Sequence, residues 1–377
     1  MPAGWLLPYG RVGRWSSWLA TPAQPIDRPE YSPQRRTTWC SSSSRLRFVK
    51  ALQITELSGP RSALSIADLP DPPADHPLTP GSGVLIDVHA AGVAYPELLQ
   101  TRGEYQDKPD LPFVPGSDIA GVVRSAPEGS GLAAGDRVAA YCEAGGFAEV
   151  AVAPAFLTFP LSDELDFAQG ASLVMNYHTA YFALKLRGRL AEGETVLVHG
   201  AAGGVGTATL QVAKGLGART IAVVSSDEKE QVARDAGADE VVRSDGAWKN
   251  EAKQLSGGGV DVVIDPVGGD RFTDSLRSLR AGGRVVVVGF TGGSIPVVKV
   301  NRLLFHNTEV VGASWDTPAL GSPDLELEIG ETISRLIDEG FVRPIVGGRF
   351  PLDRAADALE LLDERRATGK VVLELRC

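Results

Sequence analysis

At 377 residues the chain is long enough for two or three domains, and its formal net charge of −10 disfavours a dedicated nucleic-acid or anionic-membrane binder. Three scattered cysteines, Cys40, Cys142 and Cys377, are too few for a disulfide framework. No apolar run approaches the ~18–20 residues that span a bilayer.

Residues 1–47 differ in character from the rest. They hold Trp5, Trp15, Trp18 and Trp39, the run Ser41–Ser44, and arginines at 11, 14, 28, 35, 36, 45 and 47 against only Asp27 and Glu30. Prolines interrupt every short apolar stretch, and no helical or strand period persists. Three readings stand: an over-extended reading frame, an Arg- and Ser-rich targeting segment, or a disordered tail. The expected location is cytoplasmic, and mitochondrial only if this segment is a transit peptide.

Short strand-like runs follow at 85–93, 118–123 and 147–152, punctuated by Gly and Pro before Asn176. From Glu194 the pattern changes. TVLVH at 195–199 meets a glycine cluster and then a helical stretch to Leu216. RTIAVV (219–224), VDVVID (260–265), RVVVVGF (284–290) and TEVVGA (308–313) come next, mostly separated by helix-like segments. Near-continuous apolar strands alternating with helices predict a parallel sheet covered on both faces, a doubly wound dinucleotide-binding domain.

The glycine cluster sits where such a domain needs it, at a strand-to-helix turn. In the GxGxxG frame it reads Ala201-Ala202-Gly203-Gly204-Val205-Gly206, with Ala201 at the first glycine position. Gly203 would let backbone approach a pyrophosphate, and Gly206 would let helix and sheet pack closely. The helix N-terminus offers free N–H groups to the phosphates. Cofactor choice is made after the second strand. There the chain has Ser225 and Ser226, with Asp227 displaced onto the next helix and Lys229 beyond it. Hydroxyls and an ammonium suit a 2′-phosphate that a carboxylate would repel, so NADPH is expected. Arg243 could add charge; either Lys229 or Arg243 alone could also be a solvated surface cation.

The string LVHGAAGGVG at 197–206 closely resembles the nucleotide loop of zeta-crystallin-like quinone oxidoreductases, zinc-free members of the medium-chain dehydrogenase/reductase superfamily. LPFVPGSDIAGVV (111–123), GDRVAA (135–140), GGFAEV (145–150), NYHTAY (176–181) and ATGKVVL (367–373) follow the family's order. VKALQIT at 49–55 looks like a family N-terminus with Val49 in place of methionine, which would make it a GTG start within the longer frame. The resemblance implies an α/β fold: a GroES-like β-rich catalytic domain plus a doubly wound parallel (Rossmann) nucleotide-binding domain. Its implied spans are 48–172 for the first part of the catalytic domain, 173–312 for the nucleotide domain and 313–377 for the C-terminal return.

Zinc alcohol dehydrogenases need Cys and His ligands, including a Gly-His-Glu at the position matching Gly116-Ser117-Asp118. Serine replaces the histidine, no four-cysteine lobe follows, and His76, His89, His178, His199 and His306 form no metal-binding pair, so no zinc is expected. Without a Lewis acid, reduction of an already electrophilic acceptor remains plausible chemistry.

The resemblance also implies site residues. Tyr105 matches a cleft tyrosine that protonates an enolate in related enoyl reductases, a reasonable acid for that task, or else a packing residue. Thr179, opening the hinge with Asn176 and His178, matches a residue near the nicotinamide; His178 reads as structural or as a proton shuttle. Backbone at Gly289, Phe290 and Thr291 is expected at the nicotinamide amide. Asn301, Leu303, Gly369 and Lys370 are cofactor candidates by resemblance alone. Ala94 stands for the family's asparagine and Leu99 for a second cleft tyrosine, making the acceptor pocket more apolar. Trp315 is a pocket or core residue. Quinone reduction is the leading expectation, enone, 2-alkenal or enoyl-thioester reduction the second. A non-catalytic nucleotide-binding or redox-sensing protein is the third. A homodimer through the edge strand at 308–313 is expected.

Overall fold

The structure is a computed structural model that describes residues 47–315 and 322–376. The readings made for residues 1–46 lie outside the described residues.

β1 (Phe48–Ile54) and β2 (Leu64–Pro70) pair as an antiparallel hairpin. β3 (Val84–Val93) buries Val84, Ile86 and Val88 while Leu85, Asp87 and His89 alternate with them, the period of a strand with one face on a core. β4 (Asp118–Ser125), β5 (Arg137–Tyr141), β6 (Val150–Ala153) and β7 (Thr158–Pro160) complete the first half. The strand expected from residue 147 starts only at Val150. Before it, the Phe147 N–H is spent on the Pro115 carbonyl at 2.9 Å and so cannot join the ladder.

A helical connection then crosses to the second half. Val174–His178 and Phe182–Arg187 are wound as π turns on either side of Thr179–Tyr181, an irregularity that often marks functional sites.

β8 (Thr195–Val198), β9 (Arg219–Val224), β10 (Glu240–Arg243), β11 (Val260–Asp265), β12 (Leu279–Val287) and β13 (Glu309–Gly312) form one sheet in the order β10-β9-β8-β11-β12-β13. Every ladder in it is parallel. All six residues of β11 are buried, which is why its sequence runs apolar instead of alternating.

β14 (Val346–Pro351) and β15 (Lys370–Glu374) do not extend that sheet. They return to the first half, where β15 pairs antiparallel with β3, giving a seven-stranded sheet in the order β14-β15-β3-β4-β5-β7 with β6 also on β3. The C-terminal return is therefore part of the β-rich sheet. No helix among the described residues is long and apolar enough to cross a membrane.

Candidate active site

A cavity of about 380 Å³ lies where the C-terminal ends of β8, β9 and β11 meet Ala94 and Lys370 of the β-rich half. Ligands bind at these strand ends in doubly wound sheets because helix N-termini and free backbone N–H groups converge there. The chain turns through the glycine loop directly after β8, and the helix Gly204–Gly215 starts from Gly203. Ala201, Gly203, Gly204, Val205 and Gly206 all line the cavity.

The C-terminal segment straps across this loop. The Gly369 N–H donates to the Ala202 carbonyl at 2.7 Å. Gly369 adopts φ +58°, and a Cβ there would lie 2.3 Å from the Ile345 carbonyl oxygen, so glycine is required on both counts. Lys229 Nζ donates to the Arg365 carbonyl at 2.7 Å, and the Arg365 guanidinium donates to the Gly292 carbonyl at 3.1 Å. The strap thus joins the loops after β8, β9 and β12.

The cavity wall carries Lys229, Arg271, Arg365 and Lys370 and no carboxylate. Ser225 and Ser244 line the end nearest Lys229. A doubly wound sheet holds the adenosine ribose at the tip of its second strand, here β9, so cations and hydroxyls gather where a 2′-phosphate would lie. The opposite end is formed by Asn176, Val93, Ala94 and Tyr95 with Lys370 and Thr291. A glycine loop at a helix N-terminus flanked by cations fits a phosphorylated dinucleotide. NADPH, when bound, would supply a hydride; the chain's own residues would hold its phosphates and shape the space beside it.

Several expected residues fall elsewhere. Arg243 is ion-paired with Asp227 and with Glu230, the latter at 2.7 Å, so its charge is already neutralised outside the cavity wall. Ser226 caps the helix Asp227–Asp235, its hydroxyl accepting the Lys229 N–H at 3.3 Å. Asn301 lines a separate depression near Thr195 and Leu279, at the strand starts, the opposite edge of the sheet from the cavity. Leu303 packs against the nucleotide-domain core. Gly289 and Phe290 stop short of the wall, and the chain enters it at Thr291 and Gly292 instead. Thr291 is anchored by its hydroxyl, which donates to the Pro266 carbonyl at 3.0 Å. Tyr105 and Thr179 are half-buried and lie outside the cavity wall, as does Leu99, whose helix presents Tyr95 instead.

Trp315 is a core residue. Its indole N–H donates to buried Glu326 at 2.9 Å, and its ring meets Tyr141 and His178 edge-on. The same carboxylate is hydrogen-bonded to His178 Nδ1 at 2.9 Å, so His178 is a structural residue. His199 is buried behind the glycine loop, edge-on to Trp248 and 2.8 Å from the Ser275 hydroxyl. Burial pushes its imidazole down to about 4, so it is neutral at pH 7. Its folded value lies below the ordinary one, so the stability it contributes is complete above about pH 6.5 and is lost as pH falls toward 4. Urea denaturation between pH 7.5 and 5 is expected to show a shallower acid decline in His199→Gln than in the parent chain.

Sequence reasoning missed Arg271, Arg365, Ser244 and Tyr95 as wall residues. Only Arg365 carried a signal, as part of the arginine pair before ATGK. Ser117, in the position where zinc enzymes place histidine, donates its hydroxyl to Glu97 at 3.2 Å. No group of three or more His, Cys, Asp or Glu that could hold a metal ion occurs among the described residues.

A β-rich sheet closed by the C-terminal return, joined to a doubly wound sheet with its glycine loop at their junction, defines an oxidoreductase of the medium-chain dehydrogenase/reductase class. Residues 80–163 match the alcohol dehydrogenase GroES-like domain and residues 204–327 the zinc-binding dehydrogenase domain. The chain is 36% identical to quinone oxidoreductase-like protein 2 of Mus musculus, over 88% of this chain and 93% of that protein. It is 35% identical to the quinone oxidoreductase of Rattus norvegicus, over 87% and 98%. Among solved structures, a probable oxidoreductase from Mycobacterium abscessus is 42% identical with a TM-score of 0.78, covering 87% of this chain and 99% of that one. The quinone oxidoreductase from Thermus thermophilus, described with its NADPH complex, is 34% identical with a TM-score of 0.73, covering 86% and 100%. The chain belongs to the quinone oxidoreductase family of the medium-chain dehydrogenase/reductase superfamily.

Proposed function

We propose that this protein reduces quinones with NADPH, without zinc, by hydride transfer across the junction of its two halves. The observation that carries the reading is the cavity wall, with Lys229, Arg271 and Arg365 and no carboxylate around a glycine loop, and with Val93, Ala94 and Tyr95 among its lining residues. The cations at Lys229 and Arg365 favour a 2′-phosphate over a free ribose hydroxyl. Ala94 and Tyr95 offer an apolar surface on which a flat acceptor can rest. The quinone oxidoreductases among its relatives support the acceptor class. A role for Thr179 beside the nicotinamide belongs to the same proposal; Tyr105 is one candidate proton donor for it, and Tyr105→Phe tests that role. Steady-state NADPH oxidation with 1,2-naphthoquinone is expected to exceed that with crotonyl or acryloyl substrates. The reverse ranking would make the protein an enone or enoyl-thioester reductase, and no turnover of any acceptor would sink both.

A homodimer and a cytoplasmic location complete the proposal. β13 lies at the end of the nucleotide sheet, and Val297, Val300, Leu304, Phe305 and Val310 are exposed on and before it. An apolar group beside an unpaired strand edge favours pairing with a second copy. Sedimentation analysis is expected to give a dimer, and Val310→Lys combined with Phe305→Lys a monomer. A monomeric parent chain would refute the edge-to-edge assembly.

A further inference from the structure

Two carboxyl groups are buried at the acceptor end of the cavity against a single ammonium. Glu97, 2% exposed, accepts the Ala94 N–H at 2.9 Å on one oxygen and the Ser117 hydroxyl at 3.2 Å on the other. Asp118, 0% exposed at the start of β4, accepts from Lys370 Nζ at 3.1 Å through Oδ2, and its Oδ1 has no hydrogen-bond partner among the described residues. Lys370, which begins β15, is itself part of the cavity wall. Its stem passes Gly92 of β3, where a Cβ would lie 2.5 Å from Lys370 Cε and 2.3 Å from the Ala171 carbonyl oxygen. The missing side chain at 92 is what lets the ammonium reach Asp118.

Charge decides the protonation state. Two carboxylates and one ammonium leave one negative charge uncompensated away from water, a cost of several kcal/mol. One proton removes it. Burial pushes both carboxyls above the ordinary carboxylate range, and Lys370 pulls both partly back. Asp118 holds the direct ion pair, whereas Glu97 meets only neutral donors, so the proton belongs on Glu97. The other titratable groups facing this cluster are Cys142, whose thiol burial pushes up and keeps neutral, and His178, hydrogen-bonded to Glu326.

We propose that Glu97 is a neutral carboxylic acid in the resting protein and supplies the proton of the reaction, with Lys370 as the group that hands it to the acceptor. This deepens the reductase reading and rests on it. After hydride addition the acceptor carries both electrons and an oxyanion. The Lys370 ammonium gives that oxygen one proton, breaking an N–H bond and forming an O–H bond. The amine regains its proton from the Glu97 carboxyl, whose charge balance it shares, so that an O–H bond breaks and an N–H bond forms. The Glu97 carboxylate left behind is reprotonated by water once product departs. Lys370 would touch the substrate and is the catalytic residue; Glu97 acts through it, while Ser117 positions the Glu97 carboxyl and Asp118 the ammonium.

Infrared difference spectroscopy of the full chain against Glu97→Gln tests the protonation state without turnover. At pH 7 the carbonyl band of a protonated carboxylic acid is expected in the parent and absent from the variant. With 1,2-naphthoquinone as acceptor, kcat of the parent is expected to decline on the alkaline side as Glu97 loses its proton, and Glu97→Gln to lower kcat by about 100-fold at unchanged NADPH affinity and to remove that decline. Lys370→Met, which removes the ammonium and keeps both carboxyl side chains, is expected to keep the infrared band and lose the alkaline decline. This second variant covers a Glu97→Gln chain that fails to fold. A missing band, or an alkaline decline removed by Tyr105→Phe and retained in Glu97→Gln, overturns the proposal. No turnover with any acceptor sinks the reductase reading and the delivery step with it, whereas a missing band in an active enzyme sinks only the present inference.

Discussion

Gly206→Val is expected to abolish measurable NADPH binding, raising Kd by more than about 100-fold, or roughly 2.7 kcal/mol. A Cβ at 206 would lie 2.2 Å from the Gly200 carbonyl oxygen and 2.7 Å from Ala201 Cα. Both are backbone atoms of the phosphate loop, so no side-chain rotation relieves the clash. Either the helix Gly204–Gly215 moves off the sheet or the loop moves off the phosphates. In both cases the helix N-terminus no longer points its N–H groups at the pyrophosphate. Titration by NADPH fluorescence measures the loss, and circular dichroism separates it from unfolding. Unchanged affinity in a folded variant would show that the cofactor lies elsewhere.

Lys229→Ala is expected to weaken NADPH about 10- to 100-fold and to leave NADH nearly unaffected, the size of a lost charge-assisted bond. Lys229 is half-buried on the first turn of its helix and already positioned by its bond to the Arg365 carbonyl. Its ammonium therefore meets a 2′-phosphate with little further ordering. Arg365→Ala is expected to act in the same direction by a smaller factor, because its guanidinium also holds the strap to Gly292. The affinity of the parent chain for NADPH should fall with added salt more steeply than that of either variant. Equal losses for NADPH and NADH would mean that Lys229 supports the loop and does not read the phosphate.

Gly206 and Lys229 were legible in the sequence for the same reason. Each sits at a fixed offset from a strand end within one βαβ unit, where local spacing dictates position. The strands of the nucleotide sheet were legible too, because burial on both faces forces continuous apolar runs. At Gly289 and Phe290 the local reading ran long: the strand read to Phe290 ends at Val287, and the chain lines the cavity only at Thr291 and Gly292.

Arg243 shows where local reasoning stops. It ends β10, but whether its charge is available depends on Asp227 and Glu230 on a neighbouring helix. Trp315 and His178 likewise acquired structural roles only when Glu326 was brought between them.

Residue order alone was enough to read a two-part oxidoreductase with a glycine loop at a strand-to-helix turn and no carboxylate at the tip of its second nucleotide strand. Those features are periodicities and short spacings, which hydrophobic burial and backbone geometry impose over a few residues. Which cations share the cavity, and where its proton can reside, depended on the folded chain. Lys370 and Asp118 are 252 residues apart along the chain. Their pairing requires β15 to fold back beside β3, and the desolvation that makes Glu97 hold a proton exists only once the β-rich sheet has closed around it.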